Sequence, residues 1–378
     1  MADETELAAT VIDAGTGYVK AGMAGDQAPR KKFPNLLGKS RFTGLEVAMD
    51  QCDYVVGDEA FIKRGTLNMI EPIEKGIIKD WDVMEKVWHH TFYNELKVDP
   101  QEHPVMITDS PMNSFDNKER CTEVFFENLN VPSFFVASSS VLSLIASGST
   151  KGVVFESGEG CTHVVPIYES YALPHSTKAM DICGRDLTNY MMDLLVKSGI
   201  TFSKHYDIDI VQKIKETKTH ISTKFDEDKK AIDESGNARD TIFELPDGKT
   251  INIGLPQIMC PEALFQPKLI EKAMDGIHDL IYRSYFAIDM EVRKSLFSKI
   301  VLSGGNTLFV NIAERIAQHM KDLGGNSINF KIYAPAERQY TAWIGGSVLS
   351  SLSTFQSMWI SKKDYEEVGA SIVRKKCL

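Results

Sequence analysis

The sequence lacks a positive excess, a cysteine framework and a long apolar run. Lysine and arginine number 42 against 52 acidic residues, a formal charge of −10, which argues against a nucleic-acid coat or a partner as acidic as an anionic membrane surface. Basic or metal-bridged partners fit better. Six cysteines, Cys52, Cys121, Cys161, Cys183, Cys260 and Cys377, are scattered with no Cys-x-x-Cys pair, so neither staples nor a redox motif is expected and a reducing cytosol or nucleus is. The uncharged stretch Asn130 to Thr150 is rich in serine and contains Pro132; strand, loop and helix are expected there, and no membrane span. The acidic start MADETELAAT has no signal-peptide core, and the penultimate Cys377 makes no prenylation box. No low-complexity linker divides the chain.

What is present is ordinary globular composition, 43% apolar, 9% aromatic and 25% charged over 378 residues. That length exceeds what one core usually serves, so at least two lobes are expected. Strand and helix signals alternate, which predicts an α/β architecture. Short apolar runs at 105–107, 134–137, 153–155 and 300–302 read as buried strands. Trp81, Met84, Trp88, Phe92 and Glu95 follow helical spacing after Asp80, and Leu187, Tyr190, Met191, Leu194 and Leu195 form a stripe closed by Gly199. Pro246-Asp247-Gly248 predicts a hairpin turn. Residues 226–240, dense in charge and small side chains, are expected to be an irregular surface connection.

One internal repeat matters more than any boundary. An apolar strand runs into Asp13-Ala14-Gly15-Thr16-Gly17 and another into Glu156-Ser157-Gly158-Glu159-Gly160, acid-x-Gly-x-Gly each time. Strand patterns resume at 18–23 and 162–168, so these are glycine-tipped hairpins and not Walker loops. Duplicated lobes facing each other across a cleft are the expectation. Glycines in such turns let successive amides converge on an anion, and a polyphosphate suits them. The acids would hold the hydration shell of magnesium, and Lys20 could return to a phosphate. Either motif alone reads as readily as a β-turn with a chance acid; as a pair they favour the ligand.

A third element is the strand Ile300-Val301-Leu302-Ser303 ending in Gly304-Gly305-Asn306 before a helix from about 310 to 323. It could seat a nucleoside, with Phe309 available to a base. Lys215 and Glu216 could contact a ribose or adenine; solvated surface charge is the commoner reading of such a pair.

The chain resembles the actin family from end to end, in AGMAGDQAPR, WHHTFYNEL, CPEALFQP, SGGNTLF, GRDLT, EEVGASIV and WIGGSVLSSLSTFQSMWISKKDYEE. The resemblance implies the duplicated ribonuclease-H-like fold shared with sugar kinases and Hsp70 ATPase domains, with magnesium and ATP or ADP between two lobes. It implies a small lobe of 1–146 plus 341–378, with 35–71 carrying a flexible loop, and a large lobe of 147–340, with 183–272 as its outer subdomain. Asp13, Gly15, Thr16, Gly17, Tyr18 and Lys20 would form one phosphate hairpin, and Glu156, Gly158, Glu159 and Gly160 the other. Gly184, Arg185, Lys215, Glu216, Gly304, Gly305, Leu308, Phe309 and Gln339 would surround the nucleoside. Asp13 and Glu156 would hold the metal through water, and His163 matches the histidine near the attacking water.

Departures from the family pattern carry their own expectations. Ser139 replaces the glutamine that positions the lytic water and is too short to reach the same place; Glu156 is one methylene longer than the family's aspartate. A misplacement of about 1 Å can cost about 10²-fold, so hydrolysis should be slow. Lys75 replaces a histidine beside the phosphate-release route, where a fixed cation could retain phosphate. Gln339 and Gln212 replace a lysine and an arginine, and Phe309 a tyrosine, so the base should bind more weakly with stacking preserved.

The polymer contacts differ too. The flexible loop, about Phe42 to Asp53, carries Glu46 and Asp50, and the apolar plug reads Leu269-Ile270-Glu271-Lys272. Unpaired charge buried at a contact would oppose homopolymerisation, unless Glu271 and Lys272 pair with each other or across subunits. Asp3, Glu4 and Glu6 resemble the myosin-facing tail, whereas Gln27 and Gln101 replace acids on the same expected face, so motor binding should be reduced. The first reading is a divergent, cytoskeletal ATP-binding actin, self-associating or co-assembling with actin and meeting actin-binding proteins, myosin or axonemal dynein, in the cytoplasm. The alternative is a non-polymerising subunit of an axonemal dynein arm or a chromatin complex, in cilium or nucleus. A kinase or chaperone of the superfamily is disfavoured by the actin-specific loop and C-terminal stretch.

Overall fold

The computed structural model describes residues 7–41, 54–202, 207–235, 242–324 and 330–377. The acidic start through Glu6, the loop Phe42 to Asp53 with Glu46, Asp50 and Cys52, and residues 236–241 lie outside the described residues. The chain divides into two compact units, Met1–Val154 with Ile167–Pro174 and Gln339–Leu378, and Phe155–Pro166 with His175–Arg338.

The first unit is built on a six-stranded sheet in the order Ile360–Ser361, Ser133–Ser138, Val105–Asp109, Thr10–Ala14, Tyr18–Met23, Lys31–Pro34. Val105–Asp109 runs parallel to both neighbours, and the last three strands form an antiparallel meander. Parallel strands covered on both faces read as unbroken apolar runs, as Val105, Met106 and Ile107 do. One cover is the helix Thr341–Ser350, whose Trp343 Nε1 donates to the Val11 carbonyl at 2.9 Å. It packs on the helix Ser139–Ala146 so closely that a Cβ at Gly345 would lie 1.9 Å from the Leu142 carbonyl oxygen. In the expected stripe Met84, Trp88 and Phe92 are fully buried, and Asp80 caps the helix Trp81–His90 by accepting from Val83 N–H. The helix continues through Thr91–Leu96 with π spacing and stops at Lys97, φ 58°.

The second sheet runs Tyr171–Ala172, Thr162–Tyr168, Gly152–Ser157, Lys299–Ser303, Lys331–Tyr333, with Lys178–Met180 also on Thr162–Tyr168. Its plan repeats the first. A hairpin has one strand flanked by an antiparallel third strand and the other by a run of neighbours, the nearest two of which are parallel to each other. The helix Gly184–Lys197 buries Leu187, Tyr190, Met191 and Leu195 and is followed by Gly199 at φ 86°. The expected hairpin forms between Ile242–Glu244 and Thr250–Asn252, with Gly248 at φ 81°.

Two expectations fail. Phe225–Ser235 is a helix, not an irregular connection: Asp226, Glu227 and Asp228 occupy its first turn, where the helix dipole favours acids, and buried Phe225 anchors it. No loop separates strand Ser133–Ser138 from helix Ser139–Ala146; Ser138 is itself the N-cap position. Among the described residues Cys121, Cys183, Cys260 and Cys377 are buried free thiols. Among the described residues no helix is long and apolar enough to cross a membrane.

Candidate functional site: two glycine hairpins

In the first hairpin the Gly15 N–H donates to the Tyr18 carbonyl at 3.0 Å, closing a turn of Gly15-Thr16-Gly17-Tyr18. Asn35 braces it from outside, its side-chain amide donating to Gly15 O at 2.9 Å and its backbone N–H to Gly17 O at 3.0 Å. The Thr16 hydroxyl accepts from Gly76 N–H at 3.1 Å, next to Lys75, whose backbone is left-handed at φ 49°. Asp13 and Lys20 are cross-strand partners. Asp13 accepts from Lys20 Nζ at 2.6 Å and from Thr108 Oγ1 at 2.6 Å. Both groups are mostly buried, at 10% and 16% exposure.

The second hairpin closes the same way, Gly158 N–H donating to the Cys161 carbonyl at 2.9 Å. Its interior is a hydroxyl chain, with Ser157 Oγ 2.8 Å from Thr162 Oγ1, which donates to Ile182 O. Asn306 Nδ2 donates to Gly158 O at 2.9 Å and to Ser157 Oγ at 3.2 Å. The N-terminus of helix Gly184–Lys197 reaches the hairpin backbone, Gly184 N–H donating to Gly158 O and Arg185 N–H to Glu159 O. Buried Lys215 donates to Gly184 O at 2.9 Å, with its Nζ 4.0 Å from the Glu159 carboxylate; Arg185 Nε is also 4.0 Å from that carboxylate.

Two glycines beside the second hairpin have no room for a side chain. A Cβ at Gly184 would sit 2.4 Å from Glu159 Oε2, and at Gly304, φ 88°, 2.3 Å from the Ser157 carbonyl oxygen. Gly305 is open, Phe309 is buried and Leu308 is 38% exposed. Glu216 is exposed and bonded to Gln212 at 2.8 Å, whereas its neighbour Lys215 is buried. Glu156 is half-buried on its strand, one residue before the hydroxyl chain. His163 is buried, its Nδ1 has no partner, and burial lowers its pKa to about 4, so the ring is neutral near pH 7.

Ser139 opens its helix as a buried residue in the first unit. Gln339 also lies in the first unit, where its carbonyl oxygen accepts from Lys32 Nζ at 3.4 Å. Lys272 corrects an expectation: it pairs with Asp181 and Asp186, not with Glu271, because the left-handed turn at Glu271, φ 59°, ends the 3₁₀ segment Pro267–Ile270. Sequence reasoning missed Thr108, Asn35, Thr162 and Lys32. Asn306 was in view as part of the Gly304-Gly305-Asn306 run, a signal that could have singled it out.

Two repeated sheets, each carrying a glycine hairpin closed by the same hydrogen bond, define the duplicated ribonuclease-H-like fold. Within that class the assignment is specific: the sequence model of the family described as Actin matches residues 4–378, and the chain belongs to that family.

Proposed function

We propose that this actin-family chain binds magnesium and ATP with its two hairpins and turns ATP over slowly as an assembly subunit. The observation that carries the reading is the identical closure of two acid-x-Gly-x-Gly turns, Gly15 to Tyr18 and Gly158 to Cys161. Such turns point amides at an anion.

The residues present fit the ligand. Gly184 and Gly304 stand where any Cβ would collide with the hairpin backbone or Glu159, and His163 keeps an unpartnered ring nitrogen. Asp13 and Glu156 would hold magnesium through water, and Lys20 would meet phosphate. Gly184, Arg185, Lys215, Glu216, Gly304, Gly305, Leu308 and Phe309 would take the nucleoside, with Gln339 from the first unit. When bound, magnesium supplies charge neutralisation to phosphoryl transfer. On the protein side, neutral His163 can accept a hydrogen bond from water, and Ser139 offers only a short hydroxyl where the family has a glutamine.

The test is the identity of the nucleotide retained by purified protein, together with its phosphate-release rate. Bound ATP with slow release supports the reading; release as fast as in ordinary actin contradicts a slow step caused by Ser139. A second reading, a non-polymerising subunit of a larger assembly, is favoured by exposed Glu271 within the segment that matches the apolar plug. Sedimentation in magnesium and potassium separates the two, since only a polymer pellets above a sharp critical concentration.

A further inference from the structure

The antiparallel register places Asp13 opposite Lys20 and Lys20 opposite Lys32, so one acid and two lysines form a row across three strands. Cross-strand partners share a face of a sheet, and the row begins two residues before the tip glycine Gly15. Lysines on edge strands ordinarily extend into solvent. Lys32 does not. Its Nζ lies 4.7 Å from the centroid of the Tyr18 ring, 5.7 Å from that of Tyr340 and 3.4 Å from Gln339 Oε1. Two aromatic faces and an amide oxygen therefore fix a flexible ammonium beside the turn that Tyr18 closes.

We propose that Lys32 is a second phosphate-binding cation of the first hairpin, preorganised by Tyr18, Tyr340 and Gln339 for a nucleoside polyphosphate. The proposal rests on the nucleotide reading above and adds a residue to it. Lys20 is engaged by Asp13 at 2.6 Å, so its charge is shared with a carboxylate. Lys32 adds positive charge on the same face, as a compact point charge suited to a phosphate oxygen. A ring face attracts an ammonium without removing its charge.

The experiment uses the full chain and measures binding of Mg-ATP, adenosine and inorganic tripolyphosphate at two salt concentrations. In Lys32→Met, Mg-ATP binding is expected to weaken roughly tenfold, the scale of one charge-assisted hydrogen bond, with a shallower salt dependence and adenosine binding unchanged. Lys32→Arg should restore most of the loss, and Tyr18→Leu should reproduce part of it. Tripolyphosphate competing as well as ATP would identify the phosphate chain as the whole ligand and still support the cation. Lys32→Met binding Mg-ATP with parental affinity and salt slope overturns the proposal while leaving the nucleotide reading standing. A parent chain that binds no Mg-ATP overturns both. Lys32 is exposed and Tyr18 half-buried, so the Lys32 variants are expected to fold, and a melting curve of each variant, Tyr18→Leu included, verifies it.

Discussion

Lys20 reaches across the first hairpin to place its ammonium 2.6 Å from Asp13 Oδ2, while Thr108 holds the other carboxylate oxygen at 2.6 Å. The pair is a local charge lock as well as part of the proposed phosphate grip. Removing one partner of a mostly buried pair costs on the order of 3 kcal/mol. Lys20→Met should therefore lower stability in denaturant titrations without nucleotide, and should also abolish any gain in stability from Mg-ATP.

Gly184 and Gly304 should respond differently to alanine. At Gly304 the added carbon meets backbone, the Ser157 carbonyl at 2.3 Å, from a left-handed conformation. No side-chain rotation relieves that, so Gly304→Ala is expected to cost 1–3 kcal/mol or more and to lower soluble yield. At Gly184 the obstacle is the Glu159 carboxylate at 2.4 Å, which can turn away. Gly184→Ala should fold and show weakened nucleotide binding; equal melting temperatures for the two variants would contradict the geometry.

Buried and half-buried histidines make stability depend on pH. His278 and His319 stack at 4.2 Å beside Phe265, and Arg315 Nε donates to His319 Nε2 at 2.9 Å, which requires the neutral ring. Burial, with His278 and Arg315 nearby, lowers the His319 pKa to about 4; burial alone does the same for His163, and His278 and His90 move in the same direction. Between about pH 6.5 and pH 4 the unfolded chain binds protons that the folded chain refuses, so stability falls as pH falls through that window. Buried Asp109 and Glu262, whose pKa values are raised by burial, oppose this at its acid end. The melting temperature should drop from pH 7.5 to pH 5, and His319→Gln should shrink the drop.

Ser139→Gln is expected to speed phosphate release at saturating Mg-ATP, by up to about 10² if water positioning alone is missing. The site is buried, so the longer side chain also tests whether its surroundings can repack. An unchanged rate in a folded variant would place the slow step elsewhere.

Much of the fold was legible. The stripe Met84, Trp88, Phe92 and the hairpin at Pro246-Asp247-Gly248 are local patterns, and local patterns survive in a single sequence. Charge density at Phe225–Ser235 suggests irregularity, yet acids in a first turn and lysines beyond them equally describe the solvated helix that forms. At the hairpins, both acids and all the tip glycines were visible as a repeat. The bracing was not: Thr108 is 95 residues from Asp13, and Asn306 is 148 from Gly158. Lys32 acquires meaning only from a three-strand register and from Gln339, 307 residues away.

The most direct test is the melting temperature of nucleotide-stripped protein with and without excess Mg-ATP. Ligand at 100 times its dissociation constant stabilises the folded state by about 2.7 kcal/mol, so the account predicts a rise of several degrees in the parent chain and none in Lys20→Met. An identical melting temperature with and without Mg-ATP in the parent would contradict it.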